Sequence, residues 1–376
     1  MSTPRTVLVI GGGAAGNAAT ILLRRAGINV DLIEAKDDWN ATAGSGITLQ
    51  GNALRVLREL GVWDQVEKSG YGFGAVGITA PDGTVLHVAE DQRTGGDDLP
   101  ATVGMQRPLL QRILSDAVRA SGAGIRLGVR ATSLDQDGSG VTVRFTDAKE
   151  GRYDLVIAAD GLGSTTRAAI GITDRPEPTG MAIWRIAAPR PVGVTRTDLA
   201  YGGPAYIAGY CPTSEDTIYA YVVEANRDRA AIPAGSYADE MRALAQHYGG
   251  HWPEITTNIT DPAKVNYTWF DRMLVEGSWH RGRVVLVGDA AHCCPPTLAQ
   301  GAALSMEDAW VLTQMLTATD TWDDALLQAY YERRIARVRP VVEASVQIGQ
   351  WQLDGVRDAD VPGLMGRTMT MLRELP

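Results

Sequence analysis

The chain has 376 residues, 45% of them hydrophobic and 21% charged, a composition typical of a globular protein and a length that favours two domains. Its formal net charge of −9 disfavours nucleic acid and anionic membrane surfaces as partners. The three cysteines, two of them adjacent, form no disulfide framework, so we expect a reducing, cytoplasmic environment. No signal-peptide pattern and no apolar run long enough to span a bilayer is visible. We expect a monomer or homodimer without stable membrane association.

The first predicted unit is a strand, a glycine-rich turn and a helix. A continuous apolar run at residues 6–10 is typical of a strand buried on both faces, and the next predicted strand ends in Glu34. Between them lies a G-x-G-x-x-G pattern, in which Gly13 would let a dinucleotide pyrophosphate approach the backbone at the helix N-terminus. Glu34 would accept hydrogen bonds from the adenosine ribose. The residues expected to bind the dinucleotide in this turn are Gly11, Gly13, Ala15 and Gly16.

A later strand end carries an acid. The apolar run 284–287 is followed by Gly288 and Asp289, then by a loop containing prolines and by a helix that begins at Gly301. A carboxylate in this position suits a hydroxyl-rich ligand, and a helix start offers free N–H groups and a positive dipole. We therefore expect Asp289 to hold a sugar-like chain, and Gly301 and Ala302 to face a ring that becomes negative. Taken alone, the turn could equally be an ordinary strand end.

A third strand end has the same character. The apolar run 153–159 ends in Asp160 and Gly161. In an open parallel sheet the strand ends on one edge form the ligand crevice, so the three marked ends are expected to converge. Arg107, which opens a separate predicted helix just before Pro108, could face this crevice or solvent.

The middle of the chain, from residue 181 to about residue 269, has a different pattern. Its alternating strands are rich in tyrosine and predict an antiparallel sheet, inserted between the second and third marked strand ends. Period-two spacing predicts that Tyr206 and Tyr210 share a face, where they could hold a planar ligand or fill an ordinary sheet core. Two histidines in this region, four residues apart, are separated by two glycines, so we expect no metal site.

The C-terminal part is predicted to form a long helix from Asp323 to Trp351. We interpret the arginines of this helix as a solvated basic face, on a helix that packs over the cofactor domain. These arginines are Arg333, Arg334, Arg337 and Arg339.

The order and spacing of these motifs resemble those of the single-component flavoprotein aromatic hydroxylases, the p-hydroxybenzoate hydroxylase family. The resemblance extends over nearly the whole chain and is carried by Gly11-x-Gly13-x-x-Gly16 with Glu34, by Arg107, by Asp160-Gly161-x-Gly163-Ser164-x-x-Arg167 and by Gly288-Asp289-x-x-His292-x-x-Pro295. The segment most similar to the salicylate and 6-hydroxynicotinate hydroxylase branch is Pro295-Pro296-x-x-Ala299-Gln300-Gly301-Ala302. Many relatives have glycine where this chain has Ala299.

The resemblance implies an α/β fold with three parts. These are a Rossmann-like FAD-binding domain, an inserted antiparallel β-sheet domain that binds substrate, and a long C-terminal helix. The FAD-binding domain would be discontinuous, over residues 1–75, 101–175 and 270–322. The substrate-binding domain would comprise 76–100 and 176–269, and the C-terminal helical region 323–376.

The resemblance also implies a cofactor and a reaction. FAD would lie extended, with its adenosine at the glycine turn and Glu34, and with its ribityl–pyrophosphate part at Arg107 and Asp289. The Asp160-Gly161 segment would serve FAD and, transiently, NAD(P)H. NAD(P)H would reduce the flavin, and O2 would add at the flavin C4a carbon. The resulting hydroperoxide would hydroxylate an electron-rich aromatic or N-heteroaromatic small molecule.

Candidate residues for substrate binding and chemistry lie in the inserted sheet and beside the expected flavin. Arg185 could bind a substrate carboxylate bidentately, and Tyr210 or His292 could deprotonate a substrate hydroxyl. His292 follows the Asp289 turn and could equally be structural. The candidate catalytic residues are Arg185, Tyr210, His292 and Pro295, and the candidate substrate-binding residues are Thr48, Tyr206, Tyr219 and Pro296.

Other functions of the same fold stay open at this point. A flavin halogenase would carry a Trp-x-Trp-x-Ile-Pro motif, which Trp184-Arg185-Ile186 does not supply. A flavin oxidase or reductase that acts on a non-aromatic alkene or amine is compatible with the motifs, as is a non-enzymatic flavin-binding module. Incorporation of oxygen from O2 into a product would separate the hydroxylase from the oxidase.

Overall fold

The computed structural model describes residues 5–41 and 45–376, and it confirms the α/β fold expected from the sequence. In chain order the strands are β1 (Thr6–Ile10), β2 (Asn29–Glu34), β3 (Ile47–Gln50), β4 (Tyr71–Phe73), β5 (Ala75–Thr79), β6 (Val85–Glu90), β7 (Thr102–Met105), β8 (Gly124–Leu127), β9 (Ala131–Asp137), β10 (Gly140–Phe145), β11 (Glu150–Tyr153), β12 (Leu155–Ala158), β13 (Glu177–Pro189), β14 (Thr197–Tyr201), β15 (Ile207–Pro212), β16 (Thr217–Ala225), β17 (Asn266–Leu274), β18 (His280–Arg281), β19 (Val284–Leu286) and β20 (His292–Cys293). The α-helices are α1 (Ala14–Arg25), α2 (Gly51–Glu59), α3 (Trp63–Ser69), α4 (Arg107–Ala120), α5 (Thr165–Ala169), α6 (Tyr237–Ala245), α7 (Trp252–Thr257), α8 (Gly301–Thr317), α9 (Asp324–Leu353) and α10 (Val361–Leu372). Within the described ranges, no helix combines the length and the apolar character needed to cross a membrane.

A six-stranded sheet contains the three strand ends that the sequence marks. Its order is β18-β19-β12-β1-β2-β8, and neighbouring strands are parallel except for β18, which is antiparallel to β19. The central strand β1 is fully buried at Val7, Leu8 and Val9, as a continuous apolar run requires. Because β1, β12 and β19 are neighbours, the three marked ends lie side by side.

Two different layers cover this sheet. On one face, helices α1, α4 and α8 pack against the sheet in a core that includes Val9, Leu23 and Leu304. On the other face, the small antiparallel sheet β11-β10-β9 contributes Val143 to the apolar cluster that contains Leu8. Leu8 and Val9 point to opposite faces because successive strand residues alternate.

A larger sheet holds the tyrosine-rich middle of the chain. Its order is β20-β17-β13-β16-β15-β14-β5-β6, and its pairs are antiparallel except for β14 with β5. Helices α6 and α7 pack on one face, which buries Trp184, Trp252 and Tyr267. Strand β7 is the middle strand of a three-stranded sheet, β3-β7-β4. Strand β15 approaches it so closely that a Cβ on Gly104 would collide with the Pro212 carbonyl oxygen.

The long helix α9 begins after Asp323, whose carboxylate accepts a hydrogen bond of 3.0 Å from the Leu326 amide. The interpretation of its arginines as a solvated face is wrong for two of them, because Arg334 is 0% exposed and Arg337 is 7% exposed. Both side chains pair with acidic residues of α8. The register of α9 against α8 therefore depends on buried charges as well as on apolar packing.

Candidate active site

The glycine turn after β1 leaves room on one side only. Gly11 has a φ of +104°, and a Cβ there would collide with the Ala159 carbonyl oxygen at the end of β12. A Cβ on Gly16 would collide with the Gly11 carbonyl oxygen. A Cβ on Gly13, by contrast, would meet nothing within 4 Å. Gly11 and Gly16 therefore permit close packing, whereas Gly13 borders open space.

The turn is held by side chains from three elements. The Gly12 amide donates to Glu34 Oε2 over 2.8 Å, which fixes the acid at the end of β2 beside the turn. The Gly12 carbonyl oxygen accepts hydrogen bonds from Trp39 Nε1 at 2.8 Å, Gln111 Nε2 at 2.8 Å and Asn17 Nδ2 at 3.0 Å. Sequence reasoning missed these three donors. Only Gln111 had a signal, because it lies four residues after Arg107 on the same helix face.

An open cleft of about 310 Å³ lies in front of the turn. It brings together four of the residues expected to bind the cofactor, from separate parts of the chain: Gly13, Glu34, Arg107 and Ala302. Trp39 and Gln111 are further walls. Arg107 is exposed to the cleft. Partial desolvation by the surrounding protein lowers the pKa of Arg107. The charge of Arg185 lowers this pKa further and Asp289 opposes the shift, so both groups lie within electrostatic reach of Arg107.

The Asp289 turn is built on a glycine with positive φ. Gly288 has a φ of +59°, and its amide donates to Asp308 Oδ2 over 2.8 Å. The Arg167 guanidinium donates to the Ala290 carbonyl oxygen over 3.0 Å and thereby ties the turn to the segment after β12. Burial raises the pKa of the Asp289 carboxyl, and nearby His292 and Arg107 oppose that shift.

The Asp160 carboxylate is engaged within its own segment. It accepts hydrogen bonds from Ser164 Oγ at 2.5 Å and from the Thr166 amide at 3.0 Å, at the start of α5. Gly161 follows with a φ of +78°, and a Cβ there would meet nothing within 4 Å. The structure thus shows Asp160 shaping the turn, while its contact with a nucleotide stays a prediction.

Helix α8 starts at the cleft without a side-chain cap. Gln300 occupies its N-cap position but makes no capping hydrogen bond, and no acidic side chain lies in the first turn. Ala299, just before it, has a φ of +52°, a conformation that glycine adopts more easily. The first amides of α8 are therefore available to a negative ligand group at Gly301 and Ala302.

Two residues on the face of the large sheet away from α6 and α7, Arg185 and Tyr219, lie within electrostatic reach of Arg107. Arg185 is half-buried and donates to Thr268 Oγ1, and its Nε is buried without a hydrogen-bond partner in the described part of the chain. Burial raises the pKa of Tyr219 to about 12, although the charge of Arg185 counteracts the shift. Thr48 Oγ1 lies 3.7 Å from Cys211 Sγ. Cys211 pairs with Tyr219 across β15 and β16, so Arg185, Tyr219 and Thr48 border one region.

The other two candidate tyrosines lie on opposite faces of the large sheet. Tyr210 is 5% exposed, donates to Asp198 Oδ2 over 3.2 Å and packs edge-on against Trp252, in the core under α6 and α7. Tyr206 packs against the separate cluster that includes Ile183. The prediction that Tyr206 and Tyr210 share a face is wrong, because β15 begins at Ile207 and its alternation does not extend through Tyr206. The structure does not bring Tyr210 to the cleft.

His292 belongs to a buried network. It is 1% exposed, its Nε2 lies 2.7 Å from Asp308 Oδ2, and its ring centroid is 5.2 Å from that of Trp279. The other Asp308 oxygen accepts from Arg334 Nε over 2.6 Å. The Nε2 atom of His292 is therefore engaged by Asp308, and a role of His292 in proton transfer stays a prediction. The two prolines that follow differ, since Pro295 is buried and Pro296 is exposed.

Three comparisons place the chain among known proteins. A family model described as an FAD binding domain matches residues 5–345. The 3-amino-4-hydroxybenzoate 2-monooxygenase PtnB3 of Streptomyces platensis is 32% identical, over 91% of this chain and 87% of its own length. A 6-hydroxynicotinate 3-monooxygenase of Bordetella bronchiseptica is 29% identical, over 89% of this chain and 90% of its own length.

The fold also matches solved structures. HpxO of Klebsiella pneumoniae, solved with FAD and uric acid, superposes with a TM-score of 0.83 at 24% identity, covering 98% of this chain and 92% of that one. The predicted resemblance is confirmed: the chain belongs to the FAD binding domain family and, within it, to the FAD-dependent monooxygenases that include the aromatic hydroxylases.

Proposed function

We propose that the protein uses NAD(P)H and O2 to hydroxylate an electron-rich aromatic or N-heteroaromatic small molecule, by the oxygen-transfer route that the family resemblance implies. One observation carries the proposal. The cleft at the glycine turn reaches Arg107 and Ala302, and Arg107 lies within electrostatic reach of Asp289, Arg185 and Tyr219. A flavin site and a site for a planar, polar substrate would therefore adjoin.

The residues around the cleft fit FAD. The open space at Gly13 would accommodate a pyrophosphate next to the backbone, and Arg107 would neutralise its charge. Asp289 would accept hydrogen bonds from ribityl hydroxyls, and Glu34 from the adenosine ribose. We also propose that the Asp160-Gly161 segment contacts FAD and, transiently, NAD(P)H.

Bound FAD would supply the redox chemistry, taking up hydride equivalents from NAD(P)H and activating O2 once reduced. The protein would contribute electrostatics and exclusion of water. The uncapped start of α8 would stabilise negative charge on the reduced ring. Pro295 and Pro296, in the loop before α8, would border the ring and limit the entry of water.

The residues around Arg185 and Tyr219 would favour a substrate ring that carries a carboxylate or a carbonyl group. The Arg185 Nε is buried without a protein partner among the described residues, so a substrate acceptor would complete its hydrogen bonding. Tyr219, with its pKa raised to about 12, would stay neutral and could donate from its hydroxyl. Thr48 would form the opposite wall. The two relatives named above, whose names give a hydroxylated benzoate and a hydroxylated nicotinate, support this substrate class.

We further propose the domain division expected from the sequence. An FAD-binding domain would comprise residues 1–75, 101–175 and 270–322, a substrate domain 76–100 and 176–269, and a helical region 323–376. Support comes from the two large sheets, because strands β13 to β17 pair with one another and with the hairpin of β5 and β6, outside the parallel sheet.

The test is NAD(P)H oxidation under air with a panel of phenols, aminoarenes and hydroxypyridines, with and without carboxylates. We expect an aromatic ligand to accelerate flavin reduction, and isotopically labelled O2 to give labelled hydroxylated product. Peroxide should be measured in the same samples. If only an aliphatic amine or alkene is turned over, and no labelled oxygen enters a product, the protein is an oxidase and the proposal fails.

A further inference from the structure

The side chain at the N-cap of α8 is held away from the helix that it precedes. Gln300 is 0% exposed, and its Oε1 accepts a hydrogen bond of 2.9 Å from Asn52 Nδ2. Its Nε2 donates to Gln50 Oε1 and, over 3.3 Å, to Asn52 Oδ1. Every polar atom of the Gln300 amide is therefore committed to residues of β3 and α2, and none caps α8.

Asn52 is itself anchored by a buried ion pair. It is 0% exposed, and its Nδ2 also lies 3.2 Å from Glu307 Oε1, on the second turn of α8. Glu307 in turn accepts two hydrogen bonds of 2.8 Å from Arg337 and one of 3.3 Å from Arg334. Asn52 thus connects the charged interface between α8 and α9 to the residue at the start of α8.

The consequence appears at the cleft. Released from Asn52, the Gln300 oxygen could turn towards the free amides at the start of the helix that directly follows it. These amides include those of Gly301 and Ala302. A Cβ on Gly301 would meet nothing within 4 Å, and Ala302 lines the cleft. A capping Gln300 would therefore compete with any negative ligand group for the same donors.

We propose that Asn52 is a positioning residue that keeps Gln300 from capping α8, so that the first amides of the helix stay available to the negatively charged edge of reduced flavin. The inference rests on the proposed binding of FAD. It assigns to α2, which carries none of the nucleotide-binding motifs, a role in setting the relative affinity for reduced and oxidised cofactor.

The test compares the two-electron midpoint potential of bound FAD in four variants, by anaerobic dye equilibration, together with the affinity for oxidised FAD. Asn52→Leu keeps a similar side-chain volume and frees the Gln300 oxygen, while Gln50 keeps its contact with the Gln300 nitrogen. We expect it to weaken binding of the reduced form about tenfold more than binding of the oxidised form, which lowers the midpoint potential by about 30 mV. Gln300→Met, which can neither cap nor compete, should leave the potential unchanged.

The double variant Asn52→Leu with Gln300→Met should recover the wild-type potential, because the competing side chain is gone. Thr94→Val is the matched control. Thr94 Oγ1 accepts a hydrogen bond of 2.9 Å from the backbone amide of Asn52 and takes no part in the contacts of Gln300. It should leave the potential unchanged.

Three outcomes would overturn the inference: an unchanged potential in Asn52→Leu, no recovery in the double variant, or a fall in Gln300→Met. A fall of the midpoint potential in Gln300→Met would overturn the inference even if Asn52→Leu fails to fold. Wild-type protein that binds no FAD would instead overturn the proposed function.

Discussion

Replacing Arg334 by methionine tests how strongly the buried charges hold α9 to α8. Arg334, Glu307 and Asp308 are all 0% exposed. The substitution removes the hydrogen bonds from Arg334 Nε to Asp308 at 2.6 Å and from its Nη2 to Glu307 at 3.3 Å. Glu307 keeps Arg337, but within residues 5–41 and 45–376 Asp308 keeps only the Gly288 amide and His292.

Removing one partner of a buried ion pair leaves the other charge desolvated, which costs about 3–5 kcal/mol of unfolding free energy. Arg339→Met is the matched control on the same helix. Arg339 pairs with Glu276 over 2.6 Å, but both side chains are partly exposed to solvent, so its loss should cost at most about 1 kcal/mol. Urea unfolding of the apoprotein, followed by tryptophan fluorescence and by circular dichroism, measures both values.

The effect should depend on pH in a definite direction. Burial alone would raise the pKa of Asp308, but His292, Arg334 and the Gly288 amide hold it below its usual range. A carboxyl with a lowered folded-state pKa stabilises the fold at pH values above its unfolded pKa of about 3.9 and loses that contribution as the pH falls. The cost of Arg334→Met should thus be full at neutral pH and shrink below about pH 4. Equal costs for Arg334→Met and Arg339→Met at neutral pH would refute the reasoning.

Four further outcomes are expected. Gly13→Val should abolish FAD binding without destabilising the apoprotein, because a Cβ at Gly13 meets no protein atom within 4 Å. Gly16→Val should lower the melting temperature, because a Cβ there collides with the Gly11 carbonyl oxygen. Equal melting temperatures of these two variants would contradict this. Asp289→Ala should weaken FAD binding by about 1.5–3 kcal/mol, and an unchanged Kd would show that the carboxylate is not a ligand. Ala299→Gly should raise the unfolding free energy by up to about 1 kcal/mol, because a φ of +52° strains alanine, and a loss of stability would count against strain. Tyr219, with its pKa raised to about 12, should produce no step in the pH–rate profile at the ordinary tyrosine pKa of about 10, and a step that Tyr219→Phe removes would contradict this.

The strand ends at the cleft were predictable because their signals are local. A tight turn at Gly11, an open backbone at Gly13 and an acid at the end of β2 each follow from a few adjacent residues, and the structure has all three. The sheet face to which a given strand residue points, by contrast, depends on where the strand begins to pair with its neighbours. The true start of β15 at Ile207 is set by partners in β14 and β16, so alternation counted from Tyr206 could not give the position of Tyr210.

The buried charges had a sequence signal of a different kind. Glu307 and Asp308 lie within α8, a helix whose other residues are mostly apolar, and adjacent acids in such a helix need cationic partners because unpaired burial is costly. Arg334 and Arg337 are spaced by three residues, so they occupy one face of α9 and can meet both acids. Composition alone favours a solvated face for a helix with several arginines. The acids on α8 reverse that inference, because they make two of those arginines buried partners of Glu307 and Asp308. Asp308 in turn accepts a hydrogen bond from the Gly288 amide, so the charged interface also holds the Asp289 turn.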